Sequence, residues 1–174
     1  MKMYSRAARA AMFDRKAFTE AFFDDDAAAD GALVVASVGA ATYVGAWLLG
    51  VTGLSIQALL AVLIAAVVSW LILAFATWFT ATRLFGSGGR PQTMIALHGL
   101  AALPLLLELF GGLFQGLVAG LGLVWYLAVV VLATREASDL GTRNAAVSVL
   151  IGFAIAAIFR ALLGVPFAVF SALF

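Results

Sequence analysis

Hydrophobic residues fill most of this chain in long uninterrupted blocks, without the polar faces that a soluble helix or strand would need. A bilayer has a hydrocarbon core of about 30 Å, which a helix of roughly 20 apolar residues can cross. Five blocks meet this length approximately, at residues 32–50, 57–80, 94–111, 113–133 and 146–170. The pattern therefore predicts an all-α integral membrane protein, a bundle of five transmembrane helices.

Short breaks with turn-forming residues separate the five blocks. They contain Gly50 to Gly53, Gly86 to Gly89 with Pro91, Gly111 with Gly112, and Asp139 to Gly141. Connections this short predict that consecutive spans are antiparallel neighbours. The third and fourth blocks form a nearly continuous apolar stretch, 94–133, which is too long for one span and suits two.

Basic residues indicate how the bundle is oriented, because cytoplasmic loops collect Lys and Arg. The tail before the first span holds Lys2, Arg6, Arg9, Arg15 and Lys16, and the second and fourth connections hold Arg83, Arg90, Arg135 and Arg143. The first and third connections hold none. We predict a cytoplasmic N-terminus, an outside C-terminus and a location in the cell membrane. A re-entrant 94–111 segment would place Arg135 and Arg143 on the wrong side.

The N-terminal segment differs in character from the rest, and we predict two parts, residues 1–30 and a transmembrane domain at 31–174. The first apolar block begins only after residue 30, which argues against a cleavable signal peptide. Residues 4–23 mix Arg and Lys with Met and Phe, the composition of a short amphipathic helix on the inner membrane surface. A packed or solvated lead-in helix explains the segment equally well. Asp24, Asp25, Asp26 and Asp30 suit helix capping better than a cation site.

Composition excludes several classes of site. The chain is 65% hydrophobic and 11% charged, against about 25% charged for a soluble domain. It has no cysteine, which excludes disulfides, thiolate nucleophiles and cysteine-bound metals. With one histidine and a net charge of +1, neither a metal, a cofactor nor a nucleic acid is expected. The expected partners are the lipid bilayer and a second copy or another membrane protein.

Known catalytic motifs are missing from the chain. It has no phosphate-binding glycine loop, no His-Glu-x-x-His helix, no Gly-x-Ser-x-Gly turn and no paired intramembrane Asp. We therefore expect a protein that is not an enzyme.

Small residues and one proline predict where helices pack. Gly112, Gly116 and Gly120 recur every fourth position, which would put them on one helix face and let another helix approach, within one chain or between chains. Gly152 and Ala156 offer a similar surface on the fifth span, so the fourth and fifth spans could pair. Pro104 should kink the third span, and transporters use such breaks to expose carbonyl groups to a substrate.

Three ionisable residues, His98, Glu108 and Arg160, fall within apolar blocks, where a charge is costly without a partner, a cavity or an interface. Glu108 and Arg160 each lie about 22 Å beyond the start of their spans, at 1.5 Å per residue. We predict that they approach each other or share a polar site. The alternative is that both reach headgroups at the outer interface. A proton relay would need His98 in the same cavity, and a hydrogen bond to a neighbouring backbone group or a lipid is the more frequent role of a lone histidine near an interface.

The arrangement of spans and several local runs resemble one known family. The third span reads His98-Gly-Leu-Ala-Ala-Leu-Pro104, and the fourth contains Leu123-Val-Trp125-Tyr-Leu-Ala. The run Ala133-Thr-Arg135-Glu136-Ala-Ser-Asp139-Leu-Gly-Thr-Arg143 leads into the fifth span. Together these segments are similar to the Ypt-interacting protein (Yip) domain family in its short prokaryotic form, over about residues 30–170.

The resemblance implies a multi-pass membrane protein without known catalysis. Eukaryotic members act in vesicle trafficking, membrane shaping and contact with Rab-type GTPases through the N-terminal region. This chain has no long cytoplasmic tail and no Asp-Leu-Tyr-Gly-Pro motif before the first span, so GTPase binding is not expected.

Two functions remain open at this point. The first is a non-enzymatic Yip-type protein that organises the membrane or partner proteins. The second is a small transporter or channel that uses Glu108, Arg160 and His98 along a path loosened by Pro104.

Overall fold

The structure is a computed structural model that describes residues 2–50, 52–110 and 116–173, with side chains as far as Leu162. Over these ranges every regular element is a helix and no strand is present. Four helices are long and apolar enough to cross a membrane, and a bent helix pair, Pro91–Leu100 with Leu103–Phe110, makes a fifth if it counts as one span. The prediction of an all-α protein with several helices suited to span a membrane is confirmed, with four or five such helices.

The helices follow one another with short connections. In chain order they are α1 (Lys2–Ala11), α2 (Arg15–Phe22), α3 (Ala27–Leu48), α4 (Ile56–Phe85), α5 (Pro91–Leu100), a 3₁₀ helix (Leu103–Phe110), α6 (Leu117–Ser138) and α7 (Thr142–Leu173). The first span therefore begins at Ala27, inside the segment predicted as N-terminal. The backbone of α7 remains helical through Gly164 and Pro166.

Several breaks lie where the sequence predicts them, because the residues there suit helix ends. The Ser55 hydroxyl caps α4 by accepting a hydrogen bond from the Ala58 amide at 3.4 Å. Gly86 closes the same helix with a φ of 68°, a left-handed conformation that glycine adopts without strain. Pro91 begins α5 at a position where its missing N–H costs nothing.

The N-terminal amphipathic segment is two helices and not one. Phe13 has a φ of 62°, which ends the helical conformation, and the Asp14 carboxylate accepts the Lys16 amide at 2.9 Å to start α2. The chain turns back here, and α1 packs against α2. We call residues 2–22 the N-terminal hairpin.

The spans approach each other closely where glycine or threonine replaces larger side chains. The most extensive pair is α4 with α7, and a Cβ on Gly152 of α7 would lie 3.0 Å from the Thr77 backbone nitrogen of α4. Gly152 thus meets α4, and not the fourth span as the sequence suggested. A Cβ on Gly99 of α5 would lie 2.6 Å from the Gly31 Cα of α3. Both contacts bring backbones together in the way that membrane helices use small residues.

The hairpin packs on one side of the bundle, which we call the N-terminal side because α3 begins there. Phe18 of α2 is fully buried, and the hairpin shares one hydrophobic core with α3, α5 and α6. The loops after α4 and α6 meet on this side, where the Ser87 hydroxyl donates to the Ser138 carbonyl at 3.1 Å. We call the opposite side, where α3 ends, the distal side.

Candidate functional site

A cavity of about 370 Å³ lies within the bundle toward its distal side. Residues from α3, α4, the 3₁₀ helix, α6 and α7 line it, so every span contributes. Most of the lining is aliphatic or aromatic, including Val38, Leu73 and Phe153. Glu108 and Arg160 are the charged residues of the lining.

The 3₁₀ geometry of the third span turns Glu108 toward this cavity. A 3₁₀ helix has three residues per turn, so residues three apart share one face. Ala102, Leu105 and Glu108 have this spacing and all three line the cavity. In an α-helix the same spacing would drift around the axis, and the face would not stay aligned.

Pro104 explains why the α-helix stops before this segment. Proline has no N–H, and it disfavours the α conformation at the residue before it. The backbone instead makes shorter-range hydrogen bonds, from the Ala102 amide to the Gly99 carbonyl and from the Leu105 amide to the Ala102 carbonyl, at 3.1 and 3.0 Å. The helix pair Pro91–Leu100 and Leu103–Phe110 therefore bends by 42° at this break. The kink expected from Pro104 is present as a change of helix type.

Two glycines hold the 3₁₀ helix between its neighbours. A Cβ on Gly122 of α6 would lie 2.9 Å from both the Pro104 carbonyl oxygen and the Leu107 Cβ. A Cβ on Gly45 of α3 would collide with the Leu109 side chain. These close contacts fix where Glu108 sits relative to α3 and α6.

Helix α7 brings Arg160 to the same cavity. Phe153, Ala156, Ala157 and Arg160 follow the spacing of one α-helical face, and all four line the cavity. Arg160 and Glu108 are both solvent-exposed residues of the lining, so they lie at the mouth of the cavity. The ion pairs within 4 Å among the described residues do not include Glu108 with Arg160.

His98 lies apart from these two residues. It is fully buried on α5, its Nε2 is 3.0 Å from the Thr134 hydroxyl of α6, and it does not line the cavity. Its Nδ1 atom has no hydrogen-bond partner. The three ionisable residues do not form the common polar cluster that a relay through His98 would need.

Of the predicted glycine stripe, the structure describes Gly116 and Gly120, and neither packs against another described residue. Gly112 lies outside the described residues. Gly116 precedes α6 with a φ of 83°, and a Cβ on either Gly116 or Gly120 would meet no atom within 4 Å. The reason is that Gly116 precedes the α-helix, which begins at Leu117, so the spacing of four does not place Gly116 and Gly120 on one α-helical face. Gly122 makes the close contact instead.

Charged residues of the N-terminal hairpin are paired within the chain. Arg6 lies 2.7 Å from Asp24 and 3.4 Å from Asp30, and Arg9 pairs with Glu20. The hydrogen bond from Arg6, helped by the Asp26 amide, lowers the pKa of Asp24, and the hydrogen bond from Arg9 lowers the pKa of Glu20. These pairings favour the packed interpretation of the segment. Sequence spacing could not reveal them, because they join different helices.

Aromatic residues supply polar contacts that the sequence did not indicate. The indole N–H of Trp125 donates to the Ala11 carbonyl at 2.8 Å and ties α6 to the end of α1. The indole N–H of Trp78 donates to the Gly89 carbonyl at 2.8 Å, and the Tyr43 hydroxyl lies 2.9 Å from the Gly53 carbonyl. Each contact holds a loop or a helix end in place.

Comparison with known proteins adds no relative to this description. No protein-family model, curated protein or solved structure matches the chain.

Proposed function

We propose that this chain is a non-enzymatic, Yip-type protein of the cell membrane that organises the bilayer or partner proteins, with its N-terminal side in the cytosol. The observation that carries the proposal is the N-terminal hairpin, which packs beside the spans on one side of the bundle. The resemblance of the membrane region to Yip proteins points in the same direction. GTPase binding is not part of the proposal.

The hairpin makes the protein wider on one side. Helices α1 and α2 pack against α5 and α6, and they add their own cross-section at the N-terminal side. The turn between them and the end of α2 expose apolar side chains outward, at Met12, Phe13, Phe22 and Phe23. Apolar groups of an in-plane helix insert at the boundary between headgroups and acyl chains. Such insertion expands one leaflet more than the other and favours a curved bilayer.

The charge distribution fits this role. Arg6 pairs with Asp30 of α3 and Arg15 pairs with Glu136 of α6, so the hairpin is held to the bundle, while Arg9 and Glu20 join its two helices to each other. A hairpin that stays packed against the spans keeps the protein wider on this side, whereas a loosely attached tail would not.

Sorting between flat and curved membrane tests the proposal. Labelled protein in giant vesicles should be enriched in a nanotube pulled so that the N-terminal side faces its convex surface. Replacing the exposed residues Met12→Ser and Phe23→Ser together should reduce this enrichment about twofold or more, because less apolar volume enters the leaflet. Leu54→Ser, at a residue 68% exposed in the distal loop, is the matched control and should sort like the native protein. Equal density of native protein in tube and vesicle would contradict the proposal.

A second candidate, a small transporter or channel, is favoured by one specific observation. Glu108 and Arg160 line the same cavity, and charged groups inside a membrane bundle commonly mark a pathway. Ion and proton flux into proteoliposomes should be compared for the native protein, Glu108→Gln and Arg160→Ala. Flux abolished by either change would overturn the first proposal. Changes confined to assembly or abundance would count against transport.

A further inference from the structure

We infer that the distal cavity binds one zwitterionic phospholipid, with an acyl chain inside the bundle and the headgroup between Glu108 and Arg160. This ligand goes beyond the proposed function, since lipid binding requires no effect on membrane curvature. The inference depends on two observations about the same cavity, namely its apolar interior and the charges at its mouth.

The interior suits a hydrocarbon chain. Its volume of about 370 Å³ is within the usual range of ligand sites, roughly 300–1,000 Å³. Aliphatic and aromatic side chains dominate the lining, and the Thr42 hydroxyl already donates to the Gly39 carbonyl at 2.9 Å. A strongly hydrated ion or a sugar would lose its water against this mostly apolar lining, where few polar groups, such as the unpartnered indole N–H of Trp70, could replace it. An acyl chain has no bound water of this kind to lose when it enters the cavity.

The mouth carries two opposite charges that are not joined to each other. Glu108 and Arg160 are exposed lining residues and lie more than 4 Å apart at their charged atoms. A charged side chain in a span needs a partner or an interface. A headgroup with a phosphate and an ammonium group supplies a counter-charge to each of them.

The two residues differ in how they would hold the headgroup. Arginine donates from a planar fork that matches phosphate oxygens, so Arg160 would hold the phosphate. The Glu108 carboxylate would accept hydrogen bonds from the ammonium group. An anionic lipid would satisfy Arg160 but place its negative charge near Glu108, and a cationic amphiphile would do the reverse. This complementarity selects a zwitterionic headgroup.

The position of the mouth is consistent with a lipid of the distal leaflet. Glu108 lies near the end of the 3₁₀ helix at Phe110, and the lining residues of α4 run from Val62, near its distal end, to Leu73, near its middle. A headgroup at the distal interface can therefore meet both charged residues while its chain enters the bundle. The N-terminal hairpin lies on the other side of the bundle and contributes no residue to the cavity lining.

Lipid binding to the purified protein in detergent, followed by native mass spectrometry, tests the inference. The probes are palmitoyl-oleoyl phosphatidylethanolamine, which is zwitterionic, and the matching phosphatidylglycerol, which is anionic. The native protein should prefer the zwitterionic lipid. Arg160→Gln should weaken binding of both lipids about tenfold, which corresponds to the loss of one charge-assisted hydrogen bond. Glu108→Gln should weaken binding of the zwitterionic lipid about tenfold and leave the anionic lipid bound as before or more tightly.

Two further measurements still test the inference if a charge variant folds poorly. Ala157→Phe places a large side chain at an exposed position of the lining and should reduce binding of both lipids without touching either charge. Glycerophosphoethanolamine has the same headgroup without acyl chains and should not displace the lipid. Displacement by this soluble compound would overturn the burial of a chain in the cavity.

Arg143→Gln is the control, because this exposed arginine lies in the first turn of α7, on the opposite side of the bundle. It should bind both lipids like the native protein. Equal affinity of the native protein for the two lipids, or unchanged binding in Glu108→Gln, Arg160→Gln and Ala157→Phe, would overturn the inference. Because binding is measured without a bilayer, it can succeed where membrane sorting or flux fails, and the reverse.

Discussion

The Arg15 guanidinium lies 2.7 Å from the Glu136 carboxylate, although the two residues are 121 positions apart. This ion pair joins α2 of the hairpin to the end of α6. Glu136 also accepts hydrogen bonds from Arg135 of the same helix, and Arg135 donates to the Thr142 hydroxyl at 3.3 Å, so these side chains connect the hairpin with the start of α7.

Reversing the charge at Arg15 should loosen the hairpin. Arg15 is largely exposed, so the pair contributes at most about 1 kcal/mol, and Arg15→Glu adds repulsion from Glu136. We expect faster amide hydrogen exchange in residues 2–22 and unchanged exchange in α4. Lys16→Glu is the matched control, since the neighbouring Lys16 forms no ion pair among the described residues. Adding Glu136→Arg to Arg15→Glu should slow the exchange again, and a double variant as loose as the single one would contradict the assignment.

Burial of Phe18 should dominate the docking of the hairpin. Phe18 is fully buried, and truncating a buried phenylalanine to alanine costs about 3–5 kcal/mol. Phe18→Ala should therefore make residues 2–22 sensitive to added protease while the spans remain folded. Phe23→Ala changes a side chain that is 80% exposed and should leave the hairpin resistant. Equal sensitivity of the two variants would show that Phe18 is not the anchor.

Acid should release the hairpin. Hydrogen bonds from Arg6 and Arg9 hold the pKa values of Asp24 and Glu20 below their usual range. A carboxylate whose pKa is lower in the folded state stabilises the fold above its unfolded pKa, and this stabilisation is lost as pH falls through the folded value. The hairpin should therefore stay docked near neutral pH and loosen below about pH 4.

Spin labels can follow this change because the chain has no cysteine of its own. Labels at Thr19→Cys and Gly141→Cys should report a broader distance distribution in acid. Adding Asp24→Asn and Glu20→Gln should broaden the distribution at neutral pH and flatten its pH dependence. Asp25→Asn, at a carboxylate without an ion pair among the described residues, should behave like the native protein. A distribution that does not change with pH would contradict the role of these pairs.

Alanine substitution should lower the stability of the protein at glycines that pack against another helix and not at glycines with open space around them. A Cβ on Gly99 would lie 2.6 Å from the Gly31 backbone, which cannot move aside easily, so Gly99→Ala should destabilise the bundle by about 1–3 kcal/mol or more. Gly120 has open space around it, so Gly120→Ala should be neutral or stabilise α6 by up to about 1 kcal/mol. Thermal unfolding of the purified protein in detergent measures both. A large loss of stability in Gly120→Ala would instead indicate an interface with another chain.

Much of the fold could be predicted from the sequence because lipid imposes a simple length requirement on apolar helices. Helix ends at Ser55, Gly86 and Pro91 follow from local chemistry that one residue decides. The hairpin could not be predicted, because the mixed apolar and basic pattern continues through Phe13, where the backbone adopts a left-handed conformation. Whether a glycine packs against a neighbouring helix depends on where its own helix begins, and Gly116 precedes the first residue of α6.

The candidate site was partly accessible from the sequence. Because a charge is costly in lipid, the sequence singles out both Glu108 and Arg160, and both residues line the same cavity. Sequence reasoning assumed α-helical geometry throughout the third span, so it could not place Glu108 on the face it shares with Ala102 and Leu105. It also grouped His98 with these residues, although the hydroxyl of Thr134, far along the chain, holds it elsewhere.

The broken third span has a consequence for the order in which the protein is made. A short α-helix followed by a 3₁₀ helix has weaker internal hydrogen bonding than a continuous span, so it is poorly suited to remain alone in the bilayer during synthesis. Helix α3 leaves the ribosome earlier and offers the Gly31 and Gly45 surfaces that receive this span. Helix α6 emerges later and closes the other flank through Gly122. We therefore expect the packing of the bent helix pair to depend on α3, so that a larger side chain at Gly31 should reduce the yield of folded protein.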